Sequence, residues 1–243
     1  MKIKSFNKRT KNFITSAFLL TALYVSPSIA TQYSGINKVT FTESEYNKDF
    51  VGNGFLIEHL DKLYAVTVKH TLLEARSPQM SNIVLTPHIK DWLIHPNQSP
   101  NEYVRLGKLI NANQHEAIDM KILEKDWLVF EVLENKSSLQ VLKLRETPLE
   151  KGENLAAYGC SYANKATCTQ DRYHGEYIQS EKNNLRVSMP DLDLTTLRGL
   201  SGSPVLDSNG QVVGIVSNVL QSKSGKGFDF APANLNYLRS VLN

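Results

Sequence analysis

The sequence predicts an all-β protein in two halves, closed by a helix at the C-terminus. Short runs rich in β-branched and aromatic residues, bounded by Gly, Asn and Asp, recur in both halves. Val205-Leu206 and Gln211–Val216 flank a turn containing Asn209-Gly210, a strong hairpin signal. After Asn234, a helix-capping residue type, Leu235, Leu238, Val241 and Leu242 fall on one helical face. A length of 243 residues suits one sizeable domain or two small ones sharing a cleft.

The chain begins with a basic head and a mostly apolar run, Phe13 to Val25, followed by Ser26-Pro27-Ser28-Ile29-Ala30. Small residues at Ser28 and Ala30 predict a signal peptide over residues 1–30, cleaved before Thr31. The apolar run is short of the ~20 residues that cross a bilayer. Export to a periplasm or the exterior is therefore expected, with no stable membrane association after cleavage. Residues 1–30 hold five cations and no acid, so the formal charge of +3 becomes −2 for the remainder. A mildly acidic body gives no electrostatic reason to expect nucleic acid as a partner. Oligomeric state is left open.

Residues 31–135 form the predicted first β unit. Val51–Ile57 reads as a strand with a glycine-marked bend, and Leu63–Val68 as a second strand that ends at Lys69-His70-Thr71. A histidine at the end of a buried strand has a fixed backbone and still faces a cleft, which suits a general base. His59, His88, His95, His115 and His174 lie in polar or turn-like surroundings and read as solvated. No histidine pair has zinc-type spacing with Cys or Glu, so neither a metal nor a cofactor is predicted. Trp127–Leu133 is a third strand with Asp126 at its entrance. A carboxylate there suits the acceptor of the His70 Nδ1–H bond. Asp119 is the rival, but the run after it is shorter and broken by Lys121.

Residues 136–243 form the second unit, entered through Lys136-Ser137-Ser138. A turn at 149–154 precedes a strand over Leu155–Cys160, and Tyr177 to Val187 reads as a further hairpin. Cys160 and Cys168 flank a polar loop. In an oxidising compartment their pairing closes a short loop worth about 2.5 kcal/mol; two free thiols are the alternative. The nucleophile candidate is Ser201 in Gly199-Leu200-Ser201-Gly202-Ser203-Pro204. Glycines there let a substrate carbonyl approach the main chain, and the amides of Gly199 and Ser201 suit an oxyanion hole. The segment is close to the Gly-x-Ser-x-Gly pattern of α/β-hydrolases. Those need a histidine after the serine, and the last one here is His174.

The order His70, Asp126, Ser201, with Gly52-Asn53-Gly54-Phe55, Ala65–His70, Asp126–Phe130, Gly199–Val205 and Val213–Ser217, resembles the trypsin/chymotrypsin-like serine peptidases, in particular their short exported bacterial members. The resemblance covers roughly residues 36–240 and implies two six-stranded antiparallel β-barrels with the site between them. It implies an endopeptidase acting on protein or peptide substrates through a Ser-His-Asp triad and an acyl-enzyme. It further implies that Thr195, six before the nucleophile, lies at the pocket base, and that Asp191 to Arg198 shapes the pocket. Ser217-Asn218-Val219 would be the edge that binds the peptide main chain. Threonine at 195 supplies no acid for Arg or Lys, and Val219 replaces a glycine that often lines an open pocket. Other departures are Leu200 for the usual Asp or Asn, Ser203 for a second Gly, and Val68-Lys69 for two small residues. Leu200 means that an acid-to-N-terminus activation switch does not operate here in the usual way. A catalytically silent binding protein of the same fold is the alternative reading.

Overall fold

A computed structural model describes residues 31–189, 193–223, 225 and 227–243. The predicted leader and Asp191 lie outside the described residues. Among the described residues no helix is long and apolar enough to cross a membrane.

The strands in chain order are β1 (Gly35–Phe41), β2 (Asn53–His59), β3 (Lys62–Thr67), β4 (Asn82–Ile83), β5 (Ile89–His95), β6 (Val104–Leu109), β7 (Asn113–Ala117), β8 (Leu128–Asn135), β9 (Val141–Lys143), β10 (Asn154–Gly159), β11 (Asp171–Glu181), β12 (Asn184–Ser188), β13 (Pro204–Leu206), β14 (Val212–Gln221) and β15 (Phe228–Asn234). Helix α1 (Leu194–Leu197) is one turn, and α2 (Leu235–Leu242) closes the chain. Strand ends differ from the sequence expectation by one or two residues at several places, as where 51–57 becomes Asn53–His59.

The first sheet runs β1-β5-β6-β8-β3-β2 and closes through β1–β2 pairing, making a six-stranded antiparallel barrel. β9, beyond the passage at Lys136, still pairs with β2, in parallel. β4 and β7 form a separate ribbon. The second barrel closes as β10-β11-β12-β15-β14-β13. The fold is therefore two six-stranded antiparallel barrels with a C-terminal helix.

Period-two alternation explains why the barrels pack together. On β2, Leu56 joins the core of the first barrel while Phe55 and Ile57 point into a different cluster. On β8, Leu128 and Phe130 face inward and Val129 outward. In the second barrel Val205 faces inward and Leu206 outward. On β14 a register shift at Val213 breaks the alternation, so that Val213 and Val216 fill the interior whereas Val212 and Ile215 turn outward. The outward sets meet in one shared cluster that also holds Trp127, Leu235 and Leu238. Strands buried on both faces read as continuous apolar runs, which is why the sequence marked these ones.

Helix α2 begins as expected, with the Asn234 side chain accepting from the Asn236 amide at 3.1 Å. Its start is tied to the first barrel, because the Trp127 indole N–H donates to the Asn234 carbonyl at 3.0 Å. Cys160 and Cys168 are disulfide-bonded and buried beside Ile36, with Phe50 against them. His95, which reads as solvated in the sequence, is 7% exposed on β5, and its Nδ1 lies 2.9 Å from the Pro96 carbonyl oxygen. Being last on a half-buried strand, it is covered by neighbours that local polarity does not reveal.

Candidate active site

β3 ends at Thr67, Val68 remains extended, and a 3-10 helix over Lys69–Leu73 follows. His70 therefore lies one residue inside a tight turn, with its side chain 18% exposed. A second 3-10 helix, Met120–Lys125, leads to Asp126. Asp119 caps the start of that helix, accepting from the Lys121 amide at 2.8 Å. Asp126 stands at its end and is 1% exposed, just before the fully buried Trp127. The structure thus brings Asp126, rather than Asp119, to His70.

Asp126 Oδ1 accepts from the His70 backbone N–H at 2.9 Å, and Oδ2 lies 2.6 Å from His70 Nδ1. The Ser217 hydroxyl donates to the same Oδ2. His70 Nε2 is 2.7 Å from Ser201 Oγ. An ionised carboxylate only accepts, so Nδ1 carries the proton and Nε2 is free to accept from the serine.

Ser201 sits in the tight turn between α1 and β13. Gly199 and Gly202 have φ of +93° and +85°, a region that excludes most side chains. A Cβ on Gly202 would lie 2.0 Å from the Asn53 carbonyl oxygen. The amides of Gly199 and Ser201 donate to no acceptor among the described residues, whereas those of Leu200, Gly202 and Ser203 are bonded to Leu197, Val216 and Leu200. Leu200 is fully buried in the core of the second barrel. An apolar residue is therefore matched to an apolar site.

A cavity of about 150 Å³ opens beside Ser201 and His70, walled by Val51, Thr71, Tyr162 and Arg198. Burial pushes the Tyr162 phenol above its usual range. Beyond the Pro204–Ile215 pair, β14 keeps β15 on one side only, so among the described residues the opposite edge of Ser217–Val219 is unpaired by strands. There the Val219 N–H donates to the Asn218 Oδ1 at 2.8 Å. Thr195 is exposed on α1, its hydroxyl donating to Asp193 at 2.8 Å, and it does not line the cavity beside Ser201. Among the described residues no cluster of His, Cys, Asp and Glu is arranged to hold a metal.

Two contributors to this site are absent from the sequence expectation. Asn53 hydrogen-bonds to the serine turn from the other barrel. Lys69, beside His70, is fully buried against Glu116. The replacement of a small residue by Lys69 was the one sequence signal for the latter.

The family model for the trypsin-like peptidase domain matches residues 52–215. No curated protein matches the chain. Among solved structures, a thermostable serine protease, AL20, from an extremophilic microorganism is similar at 14% identity and a TM-score of 0.55, covering 88% of this chain and 96% of that one. A serine endoprotease from Yersinia pestis is similar at 15% identity and 0.53, over 87% of this chain and 63% of that one. A Glu endopeptidase crystallised with MPD is similar at 16% identity and 0.53, over 87% and 95%. At these identities the likeness concerns the fold.

Proposed function

The chain belongs to the family of trypsin-like peptidase domains and is a serine endopeptidase, and from that premise we propose that it is exported and cuts peptide bonds through Ser201, His70 and Asp126. The observation that carries the reading is His70, whose two ring nitrogens lie 2.6 Å from Asp126 and 2.7 Å from Ser201. Ser201 Oγ attacks the peptide carbonyl as His70 Nε2 takes its proton. The imidazolium, held by Asp126, returns that proton to the departing amine and leaves an acyl-enzyme. Water, deprotonated by His70, then releases the acyl group. The free amides of Gly199 and Ser201 receive the negative oxygen in both halves of the reaction. The substrate main chain lies along Ser217–Val219, where it displaces the Asn218 side chain from the Val219 amide. Export is supported by the leader pattern of residues 1–30 and by the disulfide, a bond typical of oxidising compartments.

A fluorophosphonate probe tests the reading. It should label the wild-type protein and leave Ser201→Ala unlabelled. A folded wild type that neither labels nor cleaves any peptide in a library would overturn it and leave a cleft that only binds.

A further inference from the structure

Asn53 reaches from the first barrel into the turn that carries Ser201 and is 1% exposed. Its Nδ2 donates to the Gly199 carbonyl at 2.7 Å and to the Cys160 carbonyl at 3.0 Å. Its Oδ1 accepts from the Cys160 N–H at 3.0 Å. Its backbone N–H donates to the Ser201 carbonyl at 2.7 Å. Its own carbonyl accepts from Asn37 Nδ2 at 2.6 Å and Thr67 Oγ1 at 2.7 Å, which fixes the residue in its barrel.

In a trans peptide the N–H points opposite to the C=O. Four successive carbonyls of the turn are occupied. Arg198 accepts from the Tyr162 N–H at 2.8 Å and Leu200 from the Ser203 N–H at 3.0 Å, while Asn53 holds Gly199 and Ser201. The amides of Gly199 and Ser201 belong to the Arg198 and Leu200 peptides. Their orientation follows from the carbonyls being tied on the far side. A half-turn of either peptide would aim a carbonyl at the anion site. Rotation of the intervening Gly199 peptide would also strand the Asn53 amide in a dry interior, where a lost partner is costly.

We infer that Asn53 is a positioning residue for the reaction, holding the Gly199–Ser201 turn in its anion-accepting form before substrate arrives. The inference rests on the function proposed above. No charge in the turn is needed for this, because Leu200 anchors the other side in the apolar core. The side chain acts through backbone geometry and does not touch the substrate.

The test compares wild type with Asn53→Ala and with Asn53→Asp, which keeps the shape but sets an acceptor against the Gly199 carbonyl. Kinetics on a peptide amide are read with binding of a peptide boronate, whose adduct is tetrahedral, and of the corresponding cleavage product. Loss of a formed oxyanion site lowers kcat by about 10²–10³-fold. Boronate affinity should fall in parallel. KM, product affinity and the acid limb of the kcat/KM profile should stay near wild type, since His70 and Asp126 are untouched. Should both variants fail to fold, Thr67→Val removes the hydroxyl that donates to the Asn53 carbonyl and accepts from Asn37 Nδ2, and it should reduce kcat with the same selectivity; an unchanged kcat there overturns the inference. Unchanged kcat in a folded Asn53 variant, or equal losses in boronate and product binding, overturns the inference. Wild-type labelling by the fluorophosphonate probe in the same series keeps that failure distinct from failure of the proposed function.

Discussion

Lys69 provides a stability prediction with a definite sign and order. Its ammonium is fully buried, 2.6 and 2.8 Å from the two oxygens of Glu116, 3.4 Å from the Tyr237 hydroxyl and 4.8 Å from the centre of that ring. Glu116 is 20% exposed. The pair is therefore asymmetric. Glu116→Ala strands a charge in the interior, and removing one partner of a buried pair costs about 3–5 kcal/mol. The Tyr237 ring and hydroxyl offset part of this, since a cation–π contact is worth about 0.5–2 kcal/mol. About 3 kcal/mol remains. Lys69→Met removes the charge and keeps most of the packing, while the Glu116 carboxylate can still reach water; replacing buried ions by apolar groups is often close to neutral, so about 1 kcal/mol is the expected cost. For a chain of this size about 1 kcal/mol moves Tm by about 2–4 °C, which separates the two variants by roughly 4–8 °C. Urea unfolding followed by tryptophan fluorescence measures the difference, because both tryptophans, Trp92 and Trp127, are buried. Lys69→Met proving as damaging as Glu116→Ala would refute the stranded-charge reasoning.

Three further outcomes follow from the geometry. Asp126→Asn should lower kcat by about 10⁴-fold, the loss known for this substitution in a Ser-His-Asp triad, whereas Asp119→Asn, which keeps the capping oxygen, should leave kcat unchanged; a large loss in the second would reverse the roles. Ser203 Oγ is buried without a partner among the described residues, so Ser203→Ala should stabilise by about 1 kcal/mol in calorimetry, and a lower Tm would point to a partner. Glu181 is held down to about 2 by its bonds to Arg186 and then Lys223. Its folded value lies below the unfolded one, so its contribution is complete above about pH 4.3 and fades as pH falls towards 2. A carboxyl titration by NMR should find that midpoint, and Lys223→Ala should raise it; an unmoved midpoint would remove Lys223 from the pair.

What could be read from the sequence depended on how local each signal is. The β13–β14 hairpin was legible because its apolar residues alternate and Gly210, at φ +75°, supplies the turn conformation. His70 and Ser201 sit in segments whose glycines and strand ends are visible without the fold. Asp126 could be preferred to Asp119 because the longer apolar run after it enters the shared core, while Asp119 serves a helix start. Lys69 and Asn53 were illegible for the opposite reason. A lysine reads as exposed until Glu116, 47 positions on, and Tyr237, 168 on, are brought to it. Asn53 between two glycines reads as part of a bend, and its partners at 160 and 199 are 107 and 146 positions away. Thr195 was assigned to a pocket floor by counting back from Ser201. Its hydroxyl donates to Asp193 on an exposed turn, a contact that counting along the chain does not reveal because the path of a loop depends on the whole barrel.

The cross-barrel grip on the serine turn also bears on self-digestion. An endopeptidase lives among copies of itself, each a candidate meal. Any excursion that parts the two barrels enough to bare a cuttable strand also pulls Asn53 from the carbonyls of Gly199 and Ser201, and Ser217 from Asp126. With the proposed roles of Ser201, His70, Asp126 and Asn53, a molecule opened in this way is disarmed, so its destruction requires an intact neighbour and proceeds with the square of concentration rather than the first power.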